Sequence, residues 1–177
     1  LYGASKLAAD KLFISANNTY GLHPTRFSVT RYGNVIGSRG SVVPIFNKIS
    51  KNKKELFPIT DKRMTRFWMT LDQSVELVLN SIAQMTGGET FIPKIPSVKI
   101  MDLAKAIDPK KKIKIIGLRP GEKLHETLCS SDESHLILEF PDYYLVMPST
   151  SMNKERKKYF KNILGQTGKK VGLSFEY

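Results

Sequence analysis

The chain has 177 residues, of which 41% are hydrophobic and 25% charged, and a formal net charge of +12. This length and apolar content suit a globular core and exclude a disordered chain, and no apolar run reaches the ~18 residues a membrane-spanning helix needs. Cys129 is the only cysteine, which excludes an internal disulfide and a thiolate zinc cluster and points to a reducing, cytoplasmic setting.

The opening "LYGASKLAADK" begins a helix expected over 2–17, with Ala4, Leu7, Ala8, Leu12 and Ala16 near one face. "NNTYGLHP" breaks it with Asn, Gly and Pro. "RFSVTRYGNVIG" is rich in β-branched and aromatic residues, and 26–32 reads as a buried strand. A helix follows from about Val42, with Pro44 in its first turn, where proline is tolerated. "LFPIT" and "TRFWMT" are short strands, and Phe67 and Trp68 are expected in the core. "LDQSVELVLNSIAQM" carries the strongest helical pattern, with Leu71, Val75, Val78, Leu79 and Ile82 as its apolar stripe and Thr70 or Asp72 as its cap. The rest alternates: a turn and strand at "GGETFIP", a helix at "VKIMDLAKAI", and strands at "KIKIIGL" and "YYLVMP".

Helices alternating with strands predict an α/β fold. No glycine-rich loop with G-x-G-x-x-G spacing joins a first strand to a first helix, as a complete dinucleotide-binding domain should have, and the chain reads as the back half of an α/β domain. The lysines fall into short runs, "KNKK" at 51–54, "KKKIK" at 110–114 and "KERKK" at 154–158. None is interleaved with aromatic residues, so nucleic acid is not the expected partner. The runs read as solvated faces that steer an anionic substrate.

Tyr2 and Lys6 are four residues apart and share a helix face. A nearby cation favours the phenolate, so the pair suits a general base for a hydroxyl; a surface pair with no chemistry has the same spacing. His23, His125 and His135 lack metal-ligand spacing, and no metal site is expected. Cys129 has no basic neighbour to mark it as a nucleophile.

Four ordered motifs narrow the reading. The "YGASK" helix is followed by Arg31, Asn34, Val35 and Gly37, then by Arg66 and Asp72 in "TRFWMTLDQSVELV", then by "RPGE" at 119–122. This pattern resembles the extended short-chain dehydrogenase/reductase family, although Phe67 departs from it. With "NVIGSRGSVVPIF", "TDKRMTRFWMT", "FIPKIPSVKIMDLA", "RPGEKLHETL" and "DESHLILEF", it resembles in particular the inverting UDP-N-acetylglucosamine 4,6-dehydratases of bacterial pseudaminic acid synthesis.

The resemblance implies a C-terminal fragment: the end of a Rossmann-type NADP-binding domain over 1–40, then a small α/β substrate-binding domain over 41–177 with some segments returning to the first. It implies catalysis by Tyr2 and Lys6 and cofactor contacts from Tyr2, Lys6 and Arg31. It implies substrate contacts from Asn34, from Val42, Val43 and Pro44 at a helix start, and from Arg66, Arg119 and Glu122. Each has a plainer reading: Asn34 and the neighbouring glycines as turn residues, Arg66 as a rim ion pair, Arg119 and Glu122 as a loop ion pair. An Asp-Lys pair that assists elimination is implied upstream of residue 1. The implied cofactor is NADP, the substrate UDP-N-acetylglucosamine and the assembly a homo-oligomer. The rivals are a retaining dehydratase or 4-epimerase of the same family, and a non-catalytic basic binding module.

Overall fold

The computed structural model describes residues 2–19, 24–149 and 155–177, with the backbone alone at positions 2 and 155. Half of the expected break at "NNTYGLHP", residues 20–23 with His23 included, and Lys154 of "KERKK" lie outside the described residues. The elements run in the order α1 (Tyr2–Thr19), β1 (Val29–Thr30), β2 (Asn34–Val35), α2 (Val42–Ser50), β3 (Phe57–Ile59), β4 (Thr65–Met69), α3 (Leu71–Gln84), β5 (Thr90–Pro93), β6 (Ser97–Lys99), α4 (Ile100–Ile107) and β7 (Ile113–Ile115). A 3-10 helix at Ser131–Leu136 leads into β8 (Ile137–Glu139) and β9 (Tyr143–Val146), and a second at Glu155–Phe160 precedes β10 (Lys169–Lys170). The α/β expectation holds. The strand expected over 26–32 is paired only at Val29 and Thr30, and "VKIMDLAKAI" begins as β6 before it becomes α4.

Two compact units interleave in the chain. The first comprises Leu1–Tyr32, Val75–Lys94 and Thr127–Tyr177; the second comprises Gly33–Ser74 and Ile95–Glu126. In the first, a five-stranded sheet runs β1-β5-β9-β8-β10. β1 and β5 are parallel, while β5–β9, β9–β8 and β8–β10 are antiparallel. Phe91, Ile92, Ile137, Leu138, Leu145 and Val146 are buried along it. Their runs are continuous because both faces of these strands are covered. Asn17 ties the end of α1 to the approach of β1. Its Nδ2 donates to Phe27 O and its Oδ1 accepts from Phe27 N, both at 2.9 Å.

The second unit has a three-stranded sheet, β2-β4-β6, and a parallel pair, β3 with β7. Its core gathers Phe46, Ile49, Phe57, Ile59, Met64, Trp68, Ile100 and Ala104, with the Phe46 and Phe57 rings stacked at 4.6 Å. Phe67 and Trp68 are buried as expected. Gly33 lets β2 lie against β4: a Cβ there would meet Phe67 Cβ at 2.5 Å and Phe67 O at 2.6 Å. Backbone cannot yield as a flexible side chain can. Gly33→Ala is therefore expected to cost about 1–3 kcal/mol and to lower Tm by several degrees in a thermal melt. Gly37, with φ of 78°, is a turn glycine.

The α3 stripe departs from expectation. Leu71, Val75, Leu79 and Ile82 are 50–64% exposed, while Ser74 and Ser81 are buried and Leu77 and Val78 half-buried. The inward face is thus 74, 77, 78 and 81, again at helical spacing. The serines remain inside because each hydroxyl donates to its own helix, Ser74 to Leu71 O at 2.6 Å and Ser81 to Leu77 O at 2.7 Å. Thr70 caps the helix as expected: its Oγ1 accepts from Gln73 N while Gln73 Oε1 accepts from Thr70 N.

Candidate functional site

The first unit carries Tyr2, Lys6 and Arg31. α1 runs unbroken through Tyr2 and Lys6, so the two positions share one face; the Tyr2 side chain lies outside the described residues, and Lys6 is exposed. Arg31 follows β1 and fastens α1 to the unit. Its Nε donates to Asp10 Oδ2 at 3.2 Å, and its Nη1 to Glu133 Oε2 and Leu128 O, both at 2.9 Å. Glu133 also accepts from Lys11 Nζ at 3.1 Å. Asp10 stands four residues beyond Lys6, so the network grips the face that bears the Tyr-Lys pair. Neither Asp10 nor Glu133 was singled out in the sequence. Asp10 has a helical signal, its spacing from Lys6, whereas Glu133 approaches only through the fold.

Burial opposes ionisation of Glu133, but the hydrogen bond and charge of Arg31, with help from Lys11, outweigh it and hold its pKa below the ordinary value. A depressed carboxylate pKa contributes stability that is complete above the unfolded value, about 4.3, and is lost as pH falls through the folded value. The acid limb of a urea-unfolding series is expected to be shallower in Glu133→Gln than in the unaltered protein. Cys129 is fully buried, and burial pushes its thiol up to about 12. At neutral pH it is a packing residue.

The second unit carries the expected substrate residues. Asn34 is half-buried at the start of β2 and pairs in parallel register with Trp68. A tight turn then leads into α2, whose N-cap residue Ser41 is extended and makes no side-chain cap bond. Ser41 Oγ is itself buried without a partner among the described residues. Val42 and Val43 pack against the core, while Pro44 is exposed and has no N–H. The first turn therefore offers the amides of Val42 and Val43, at the positive end of the helix dipole.

Arg119, Pro120, Gly121 and Glu122 form a tight turn: Glu122 N donates to Arg119 O at 3.0 Å, and Gly121 has φ of 79°, as a type II turn with Pro then Gly requires. The Glu122 carboxylate closes it, accepting from Arg119 N at 3.1 Å. Arg66 reaches this segment from β4. Its Nη1 donates to Thr65 O at 2.7 Å and Leu124 O at 3.2 Å, and its Nη2 to Lys123 O at 3.1 Å. Its Nε lies 3.3 Å from Glu126, and its Nη2 lies 3.8 Å from Glu122. Arg66, Arg119 and Glu122 thus form one constellation, in which Arg66 anchors the 119–126 segment and the Arg119 side chain stays exposed. Glu126 was missed as the partner of Arg66. Its signal was a second acid four residues after Glu122. His125 is exposed and pairs with Thr65 Oγ1 at 2.7 Å.

A family described as polysaccharide biosynthesis protein matches residues 1–148. The chain is 57% identical to the UDP-N-acetylglucosamine 4,6-dehydratase (inverting) of Campylobacter jejuni subsp. jejuni serotype O:23/36, over 100% of this chain and 53% of that protein. It is 41% identical to the UDP-glucose 4-epimerase of Rickettsia canadensis, over 99% of this chain and 51% of that protein. Its fold matches the X-ray structure of Pen from Bacillus thuringiensis with a TM-score of 0.84 and 36% identity, covering 99% of this chain and 51% of that one. The chain spans about half the length of the curated relatives it matches, and the resemblance read from its motifs extends over all of it. With a family match that runs from the Tyr-Lys helix through β9, the chain belongs to the polysaccharide biosynthesis protein family.

Proposed function

We propose that a full-length protein carrying this chain is a UDP-N-acetylglucosamine 4,6-dehydratase, a hydro-lyase that inverts C5. What carries the reading is the unbroken helix through Tyr2 and Lys6 in a chain 57% identical, end to end, to a relative of that activity. Tyr2 takes the O4 proton of the sugar. Lys6 lowers the tyrosine pKa by its charge and holds a ribose hydroxyl of the cofactor. A nicotinamide cofactor, in our reading NADP, supplies the oxidising equivalent at C4 and the reducing equivalent at C6. The exposed Lys6 on the Tyr2 face fits such a ribose. Arg31, with Asp10 and Glu133 on its guanidinium, serves the cofactor by holding that helix in place.

Oxidation at C4 acidifies C5–H. Loss of that proton and of the C6 hydroxyl removes water, and the proton returns to C5 from the opposite face. In the second unit, the α2 amides and Arg119 receive the diphosphate, Asn34 hydrogen-bonds the sugar or diphosphate, and Glu122 sets the Arg119 turn. α1 leaves Leu7, Leu12 and Phe13 exposed by 54–69%, and in this reading copies of the enzyme associate through that face in the cytoplasm.

Incubation of the full-length protein with UDP-N-acetylglucosamine tests the reading by proton NMR. A 6-methyl, 4-keto product is expected. A C4-epimerised sugar with its 6-hydroxyl intact would instead support the epimerase reading, which the Rickettsia relative favours. No turnover would leave the binding-module reading.

A further inference from the structure

We infer that one end of the second unit is a docking surface for a membrane rich in anionic phospholipid. The two lysine runs of this unit are about sixty residues apart in sequence, and the fold joins them. β3 and β7 pair in parallel, Phe57 opposite Ile113, and Phe57 N donates to Lys112 O at 3.0 Å. The approaches to both strands therefore lie side by side, and Lys111 Nζ donates across to Asn52 O at 2.5 Å. α2 and α4 pack together and each ends just before one of these approaches.

From α2 and its exit come Lys48, Lys51, Lys53 and Lys54, all exposed. From α4, its exit and β7 come Lys105, Lys110, Lys112 and Lys114, also exposed. None of these eight takes part in an ion pair among the described residues. Two carboxylates share this end, and both are occupied by turn contacts. Glu55 accepts from Asn52 Nδ2 at 2.6 Å, and Asp108 accepts from Lys110 N at 3.0 Å. Lysine at a helix C-terminus is favoured by the helix dipole. That accounts for Lys48, Lys105 and the C-cap residue Lys51 but not for the other five.

The composition of this face decides between polyanions. It holds no arginine and no exposed aromatic side chain, the groups that read base edges and stack on bases. Lysine is a compact, hydrated charge suited to a diffuse anionic surface. Leu56, 41% exposed beside Lys54, adds the apolar side chain that electrostatic membrane binding combines with charge. No helix among the described residues is long and apolar enough to cross a membrane. It uses none of the residues assigned to catalysis.

Co-sedimentation of the full-length protein with vesicles tests this inference. In about 0.1 M salt the protein should pellet with phosphatidylcholine vesicles containing about 30% phosphatidylglycerol and stay in solution with phosphatidylcholine alone. Binding should be lost near 0.5 M salt, a readout that needs no variant. The variant K53Q/K54Q/K110Q/K112Q, shown by thermal melt to fold as the unaltered protein does, should bind anionic vesicles at least tenfold more weakly and keep its kcat at saturating sugar nucleotide, where electrostatic steering of substrate no longer limits the rate. Absence of binding to anionic vesicles, binding indifferent to the four substitutions, or duplex DNA binding that anionic vesicles fail to displace would each overturn it.

Discussion

Tyr2→Phe in the full-length protein is expected to lower 4-keto sugar formation by about 10³-fold or more while leaving UDP-N-acetylglucosamine affinity within about twofold. The phenol is the only group assigned to the O4 proton, and phenylalanine keeps the ring and the helix while removing the acid-base function. An ordinary tyrosine pKa near 10 makes the neighbouring cation essential. Lys6→Met should therefore raise the pH at which turnover reaches its plateau, besides slowing it. A stopped assay across pH 6–10, with binding measured in parallel by calorimetry, separates these effects. A Tyr2→Phe protein with unaltered turnover would remove Tyr2 from the mechanism.

The second large effect is at Arg66. Its side chain is 12% exposed, and its guanidinium faces Glu122 and Glu126 as well as three carbonyls. Arg66→Ala leaves those carboxylates without their cation and frees the 119–126 segment from β4. Removing one partner of a fully buried pair costs about 3–5 kcal/mol. Glu126 is 37% exposed, so solvent compensates in part, and about 2–3 kcal/mol is expected. Because the same segment presents Arg119, the KM for UDP-N-acetylglucosamine should rise about tenfold or more, with kcat falling less. Arg66→Lys restores charge without the fork and should recover only part of either loss. Urea unfolding and steady-state kinetics on the two variants check both. An Arg66→Ala protein of normal stability and raised KM would instead make Arg66 a direct ligand of the diphosphate.

The Arg66 outcome shows where sequence reading stopped. Its charge and its place in a family motif were legible, but five partners arriving from 65 and 122–126 were not, because the pairing of a strand with a distant loop has no local signature. Arg31 is similar: its neighbour Asp10 could have been found from helix spacing, Glu133 could not. The α/β alternation, the Thr70 cap, and Phe67 and Trp68 in the core were legible because each rests on periodicity or short-range chemistry. The inward face of α3 was misread because hydrophobicity was taken as burial. Serines that satisfy their hydroxyls on the same helix can sit inside, and leave the larger apolar side chains facing out. Strands were overextended at 26–32 because β-branched content marks extended chain and does not count ladder partners.

The measurement that tests the central claim most directly follows a label. UDP-N-acetylglucosamine deuterated at C4 is converted by the full-length protein in ordinary water, and the product is read by NMR. The dehydratase account predicts that the deuterium moves from C4 to the C6 methyl group within the same molecule, in a 4-keto product inverted at C5. Deuterium retained at C4 in a sugar that keeps its 6-hydroxyl would contradict it.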